Sequence, residues 1–433
     1  MTACGRWYLI NWVDALKGPS GSSLGRDACG DSSGGGTAPG GSVYESWVDE
    51  AGRGPGILER SAAFSDVQRE AMVLPNPQNL DHHSPTFQWE AIRFLQEVST
   101  EWESSLQDSW ENRKERWTDF TRELAIKIAE SGQWNLQVGG DRILVDFPST
   151  GGVGNKTPLI APFLALQSIS NICIPKVSTR GETGGTIDIL EAVGTRVSLG
   201  LEEFQRQLKK CSIAFAVAQE GLAPLDEALM KVRKMTYTMR CTPLVVASIL
   251  GKKLAVGCKH LVVDVKFGPD AKFRNLEDLR RAIELFQEVW TRVQPEGKIE
   301  CVVSNNYVPQ GFCFGRLLSL WEACQTLKNS SAERLRQIVN QQVKEMSKFL
   351  TPSTPSTAPP SSPSTPPQPP NSPSAPNDSS SCQLQNILRE QGADGEMVDA
   401  LAKNSPDALL NTYAKKRQFH VFRVRVEAQS SGV

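Results

Sequence analysis

The chain predicts an α/β fold, a largely parallel sheet flanked by helices, with a helical part ahead of it. Three observations carry that expectation. Apolar runs at residues 143–147, 172–177, 213–217 and 261–265 suit strands covered on both faces, because helices on each side of a parallel sheet leave no solvated face to alternate. Strand-like and helix-like stretches then alternate, which is how βαβ units are built. Finally, two connecting loops, 149–154 and 178–185, consist largely of Ser, Thr and Gly between a strand and a helix. In such a loop backbone N–H groups and the positive end of a helix dipole can surround an anion.

Taken in order, residues 1–85 read as an irregular extension. The stretch 18–56 is rich in Gly, Ser and Ala and cannot bury enough apolar surface to order itself. His82 and His83 lie among Pro75, Pro77 and Pro85, and neighbouring residues do not share a helix face, so a loop without a metal is expected there. From 86 to 137, Trp89, Ile92, Leu95, Trp102, Leu106, Trp110, Trp117, Phe120, Leu124 and Ile128 recur at helical spacing. That makes a Trp-rich packing stripe. The α/β core is expected over 138–350. Within it, Thr157 before Pro158 reads as the cap of a helix. A helical region over 230–253 carries Arg233, Ser248 and Lys252, the last two four apart and so on one face. Residues 351–381 are nearly pure Pro, Ser and Thr, a linker with room for a weak proline-reading partner. Residues 382–433 return to helical pattern and end, at 419–426, on one strand that reads as the start of a truncated β-containing C-terminal domain.

The length of 433 residues allows two to three domains. Lys plus Arg number 47 against 48 Asp plus Glu, so no global field points to nucleic acid or a membrane surface. No run approaches a membrane span or a secretory leader, and the ten cysteines lack CxxC pairs. Reduced thiols, a cytoplasmic setting and no bound metal are the expectations.

Ser149-Thr150-Gly151-Gly152-Val153-Gly154 is followed by Thr183-Gly184-Gly185-Thr186-Ile187-Asp188-Ile189-Leu190-Glu191, by Pro243-Leu244-Val245-Val246-Ala247-Ser248-Ile249-Leu250-Gly251-Lys252-Lys253-Leu254 and by Leu261-Val262-Val263-Asp264-Val265-Lys266-Phe267-Gly268. Together, these four motifs resemble the thymidine (pyrimidine-nucleoside) phosphorylase family. Weaker similarity spans 121–350 and resumes at 383. The resemblance implies phosphorolysis of a pyrimidine (deoxy)nucleoside to free base and pentose 1-phosphate. It implies a homodimer, and inorganic phosphate as co-substrate in place of any cofactor. It places base binding on Arg233, Ser248 and Lys252, with Arg233 and Lys252 as the catalytic cations, and phosphate binding on Ser149, Thr150, Ser178 and Thr186.

The chain departs from the family at the phosphate side. Where the family has Lys-His-Ser-Thr, this sequence has Phe147-Pro148-Ser149-Thr150, so the phosphate-binding Lys and the active-site His are both gone. Pro158 stands for a serine, Asn155 for an acid, and the second loop is two residues shorter and carries Glu182. One lost charge-assisted contact costs about 1.5–3 kcal/mol. A lost general acid/base costs roughly a hundred- to ten-thousand-fold in rate. Lys156 and Arg180 are the available substitutes. The expectation is therefore an impaired pyrimidine-nucleoside phosphorylase, against an alternative of another class: a non-catalytic nucleoside- or base-binding paralogue or regulatory protein.

Overall fold

The computed structural model describes residues 85–152, 154–181, 185–219, 221–308, 310–328, 333–350 and 378–417. Residues 1–84 with His82 and His83, Glu182 in the second loop, residues 351–377 of the Pro/Ser/Thr tract and residues 419–426, where a strand is expected, lie outside the described residues; residues 378–381, expected in the linker, begin a helix instead.

Two helices come first, α1 (Pro85–Ser105) and α2 (Trp110–Glu130). Next are β1 (Ile143–Asp146), α3 (Thr157–Ser168), β2 (Ile172–Ser178), α4 (Thr186–Glu191), α5 (Leu201–Cys211) and β3 (Ile213–Val217). The chain continues through α6 (Pro224–Met235), a 3-10 turn at Thr238–Arg240, α7 (Thr242–Ala255), β4 (His260–Phe267), α8 (Leu276–Val293) and β5 (Lys298–Asn305). Five helices follow: α9 (Arg316–Leu327), α10 (Glu333–Leu350), α11 (Asp378–Glu390), α12 (Gly395–Leu401) and α13 (Pro406–Arg417).

The strands form one sheet in the order β3-β2-β1-β4-β5, every neighbouring pair parallel. β3 is buried at each of its positions, as its unbroken apolar run predicts. The first two crossovers lay β2 and β3 to one side of β1, and the chain then returns to set β4 on the other side. The loops leaving β1 and β4 therefore diverge, and a crevice opens at the carboxyl ends of the strands, where open parallel sheets receive ligands.

Helices cover both faces. On one, α3, α4, α9, α10 and α11 to α13 share an apolar cluster that includes Phe147, Phe163, Phe215 and Leu320. On the other lie α2, α7 and α8. From Trp102 onward the Trp stripe is a packing face, whereas Trp89 at its start is 57% exposed; Trp102 and Trp117 meet edge-on with ring centroids 5.2 Å apart, a geometry that suits aromatic quadrupoles. α2 crosses α7 at Gly251. A Cβ there would stand 2.6 Å from Ile128 Cγ2 and 2.9 Å from the Ala125 carbonyl, so the crossing needs glycine.

Two local expectations are corrected. Thr157 does not cap α3. The helix begins on Thr157 itself, with Lys156 at the cap position, and the Thr157 hydroxyl donates instead to Asp264 Oδ2 at 2.5 Å. A buried carboxylate is the stronger acceptor for that hydroxyl. The single helical region expected over 230–253 is two helices. α6 ends at Met235, Tyr237 takes a left-handed φ of 58°, and Pro243 restarts the helix as α7.

Candidate active site

On the side of the crevice where base binding is expected, α6 delivers Arg233 in its last turn, while α7 carries Ser248 and Lys252 one turn apart. The shared face read from the sequence holds: Lys252 Nζ donates to Ser248 Oγ at 2.8 Å and to the Ser248 carbonyl at 2.5 Å. It is also ion-paired to Asp226 Oδ2 at 2.6 Å. Burial pushes the Lys252 amine down, and Asp226 pulls it back. Arg233 is 3% exposed and has no such acid against it. Its guanidinium donates to the carbonyls of Leu244 at 3.2 Å, Met239 at 3.4 Å and Thr238 at 3.5 Å. Burial draws its pKa below the ordinary arginine value. Two buried atoms here lack a hydrogen-bond partner, Arg233 Nε and Asp226 Oδ1. A donor and an acceptor left over in one buried site match the polar edge of a ring amide.

The side where phosphate binding is expected is built differently. Phe147 is 1% exposed and points into the apolar cluster, and the Pro148 carbonyl accepts from the Asp264 N–H at 2.8 Å. Ser149 is bridged to Asp264, and its hydroxyl accepts from the Gly151 N–H at 3.2 Å. Thr150 donates its N–H to the Asp264 carbonyl at 3.0 Å, and its hydroxyl accepts from the Lys266 N–H at 3.0 Å. Both residues thus sit on the β1–β4 ladder. Gly151, Gly152 and Gly154 follow at φ of +87°, +121° and +72°, conformations that side chains rarely tolerate. Ser178 closes β2, its carbonyl taken by the Ala218 N–H at 2.9 Å, and Thr186 opens α4 behind Gly185. In the second loop, the Gly181 N–H already donates to Asp188 Oδ2 at 2.7 Å, a carboxyl whose pKa burial raises.

The two substitute cations are engaged elsewhere. Lys156 is fully buried, ion-paired to Glu322 at 2.8 Å and hydrogen-bonded to the Gly154 carbonyl at 3.2 Å. Arg180 pairs with Glu191 at 2.9 Å and with Ser198 Oγ at 3.2 Å.

Sequence reasoning missed the ionic floor beneath the crevice. Asp146 binds Lys176 at 2.7 Å and Lys253 at 2.5 Å. Burial opposes its charge, yet the two ammonium groups hold it below the usual carboxylate range. Lys176 is pushed down to about 8, by burial first and by Lys253 in part. Asp264 accepts from Thr157, Ser304 and Lys266, each at 2.5 Å, and Lys266 also reaches Gln310 at 2.7 Å. Asp146, Asp264 and Lys266 all stand in strands that read as plain apolar runs. The alternation Val263-Asp264-Val265-Lys266 and the motif that contains it were signals for β4, whereas Asp146, between Val145 and Phe147, gave none. Among the described residues no cluster of three or more His, Cys, Asp or Glu is placed to hold a metal, and no helix is long and apolar enough to cross a membrane.

Residues 141–303 match the glycosyl transferase family a/b domain. The pyrimidine-nucleoside phosphorylase of Bacillus subtilis (strain 168) is 34% identical to the chain over 221 residues, 50% of each protein. That of Staphylococcus haemolyticus (strain JCSC1435) is 30% identical over 295 residues, 67% of this chain and 62% of its own. Thymidine phosphorylase of Homo sapiens is 35% identical over 230 residues, 51% of this chain and 45% of its own. The chain spans about half the length of the curated relatives it matches. A crystal structure of anthranilate phosphoribosyltransferase from Thermus thermophilus overlays loosely, at a TM-score of 0.43 and 12% identity over 76% of this chain and 100% of that one. The matched residues, 141–303, run from β1 into β5 and include Ser149, Thr150, Arg233, Ser248 and Lys252.

Proposed function

We propose that this protein is a pyrimidine-nucleoside phosphorylase of pentosyltransferase type. The observation that carries the reading is the base side: Lys252 held against Ser248 Oγ, with Arg233 and Asp226 each keeping one unpaired buried atom. The names of the relatives support the same reaction. A phosphate oxygen attacks the anomeric carbon, the bond from that carbon to the ring nitrogen breaks, and its electron pair passes into the ring. The negative charge that develops on the ring carbonyls is then stabilised by Arg233 and Lys252, while the Asp226 carboxylate and the Ser248 hydroxyl orient the ring. Ser149, Thr150, Ser178 and Thr186 hold the phosphate with the backbone amides of the two glycine loops. With no imidazole at position 148, proton transfer to the departing ring falls to water.

The decisive experiment is release of thymine from thymidine by the full chain, with and without phosphate. Phosphate-dependent release supports the proposal. Failure to release thymine while uracil or thymine still binds favours the second reading, a base-binding protein without turnover. One observation favours that rival: among the described residues, Phe147 and the Lys156–Glu322 pair leave no uncommitted side-chain cation at the first loop. We extend the proposal to a homodimer on the resemblance alone. Sedimentation of the full chain tests it.

A further inference from the structure

Beside Arg233 stands a third cation that the phosphorolysis reading does not use. Lys272 lies in the loop between β4 and α8, half-buried, and its ammonium donates to the Met239 carbonyl at 3.1 Å. Arg233 Nη2 donates to the same carbonyl at 3.4 Å, so two cations converge on one neutral oxygen. Burial, with the charges of Arg233, Arg240 and Lys252, pushes the Lys272 amine down to about 8, and no acid raises it. Asp226 is the carboxylate that acts on both Arg233 and Lys252, and Lys252 already holds it. Among the described residues, Asp226 thus serves Arg233 and Lys252 and no acid serves Lys272, while Arg233 Nε and Asp226 Oδ1 are buried without partners. Uncompensated charge of one sign in a buried site works against folding. A neutral ring would satisfy the two unpaired atoms and leave the excess positive charge standing.

We propose that the base-side pocket accepts a pyrimidine-type ring bearing a carboxylate, and that Lys272 is the residue that selects the acid over the neutral ring. The inference rests on the base-side reading above. The ring amide edge meets Arg233, Asp226, Ser248 and Lys252, and the carboxylate meets Lys272, which has one protein acceptor for its three N–H groups. Because Lys272 opposes its neighbours in the ligand-free protein, Lys272→Met should raise the melting temperature. A merely structural lysine would lower it.

Calorimetry on the full chain decides the matter, with uracil, uracil-5-carboxylate, uracil-6-carboxylate and benzoate as probes. The expected result is that one of the two ring acids binds at least about tenfold more tightly than uracil, the scale of one charge-assisted contact. That ratio should fall to about one in Lys272→Met, and also in Lys272→Gln, which guards against a folding defect in the first variant. Benzoate should bind more weakly than the ring acid. Uracil binding with no preference for either acid, a preference that survives both substitutions, or benzoate matching the ring acid would each overturn the selection by Lys272 while leaving the base pocket intact. If neither uracil nor either acid binds, the base-side reading itself falls, and this inference with it.

Discussion

The two sides of the crevice handle charge in opposite ways. On the phosphate side, Lys156, Lys176, Lys253 and Lys266 are all buried, and each is tied to a carboxylate: Glu322, Asp146 twice, and Asp264. On the side proposed for the base, among the described residues, Asp226 is paired to Lys252 and acts on Arg233, and no acid raises Lys272. Lysines tied to internal acids hold loops and strands together. Buried cations left without an acid carry charge that the fold does not compensate. Counting basic residues near a motif would rank the phosphate side as the stronger anion site. Counting partners reverses that order.

The comparison breaks first if the floor of the phosphate side is not structural. Asp146→Asn strands two buried ammonium groups and should cost about 3–5 kcal/mol, read from urea unfolding. A loss under about 1 kcal/mol would mean that Lys176 and Lys253 have other ways to be satisfied. Next in size is the Lys156–Glu322 pair. Lys156→Met alone should cost about 3 kcal/mol, because it leaves Glu322 buried and uncompensated, whereas Lys156→Met with Glu322→Leu should return to within about 1 kcal/mol of the parent. If the double substitution also abolished phosphate binding, Lys156 would be a ligand contact and the contrast between the two sides would dissolve.

On the base side the expected effects appear in binding. Arg233→Met or Lys252→Met should weaken uracil binding by about 1.5–3 kcal/mol, roughly ten- to a hundred-fold, measured by calorimetry. Unchanged affinity in both would remove the pocket from consideration.

The smallest effect belongs to His260, at the start of β4 and so at the far end of that strand from the crevice. Its Nδ1 accepts from the Lys298 N–H at 3.0 Å, and burial, aided by Lys259 and Lys298, lowers its pKa from 6.5 to about 4. Between those values the unfolded chain takes up a proton that the folded one refuses. Stability is therefore undiminished above pH 6.5 and is lost progressively as pH falls toward 4. His260→Gln should flatten that part of the melting-temperature profile while leaving ligand binding alone. An unchanged profile would assign the acid loss to other groups.

The sheet was legible because its signal is local. Residues 143–147 and 213–217 are apolar runs bounded by turn residues, and a parallel sheet asks little else of its strands. The Ser248–Lys252 contact was legible from a spacing of four on one helix. The ionic floor was not, because Asp146 meets Lys253 across more than a hundred residues of chain, and nothing within a window of sequence joins them. The Thr157 cap failed for the same reason: its competitor, Asp264, lies on another strand. Phe147 and Pro148 announced the lost Lys and His, but that Phe147 would serve as core was a matter of packing. Lys272 went unnoticed because its meaning lies in Met239 and Arg233, which reach it only through the turn after α6.

Gly251 has one more consequence. At that glycine the backbone of α2 all but touches α7, one position ahead of Lys252. Two helices so close brace each other, and the Trp-rich pair formed by α1 and α2 is their footing. Trimming the chain from its N-terminal side past Trp117 would therefore not shed an idle appendage. It would unseat Lys252, with every residue of the crevice still in the chain.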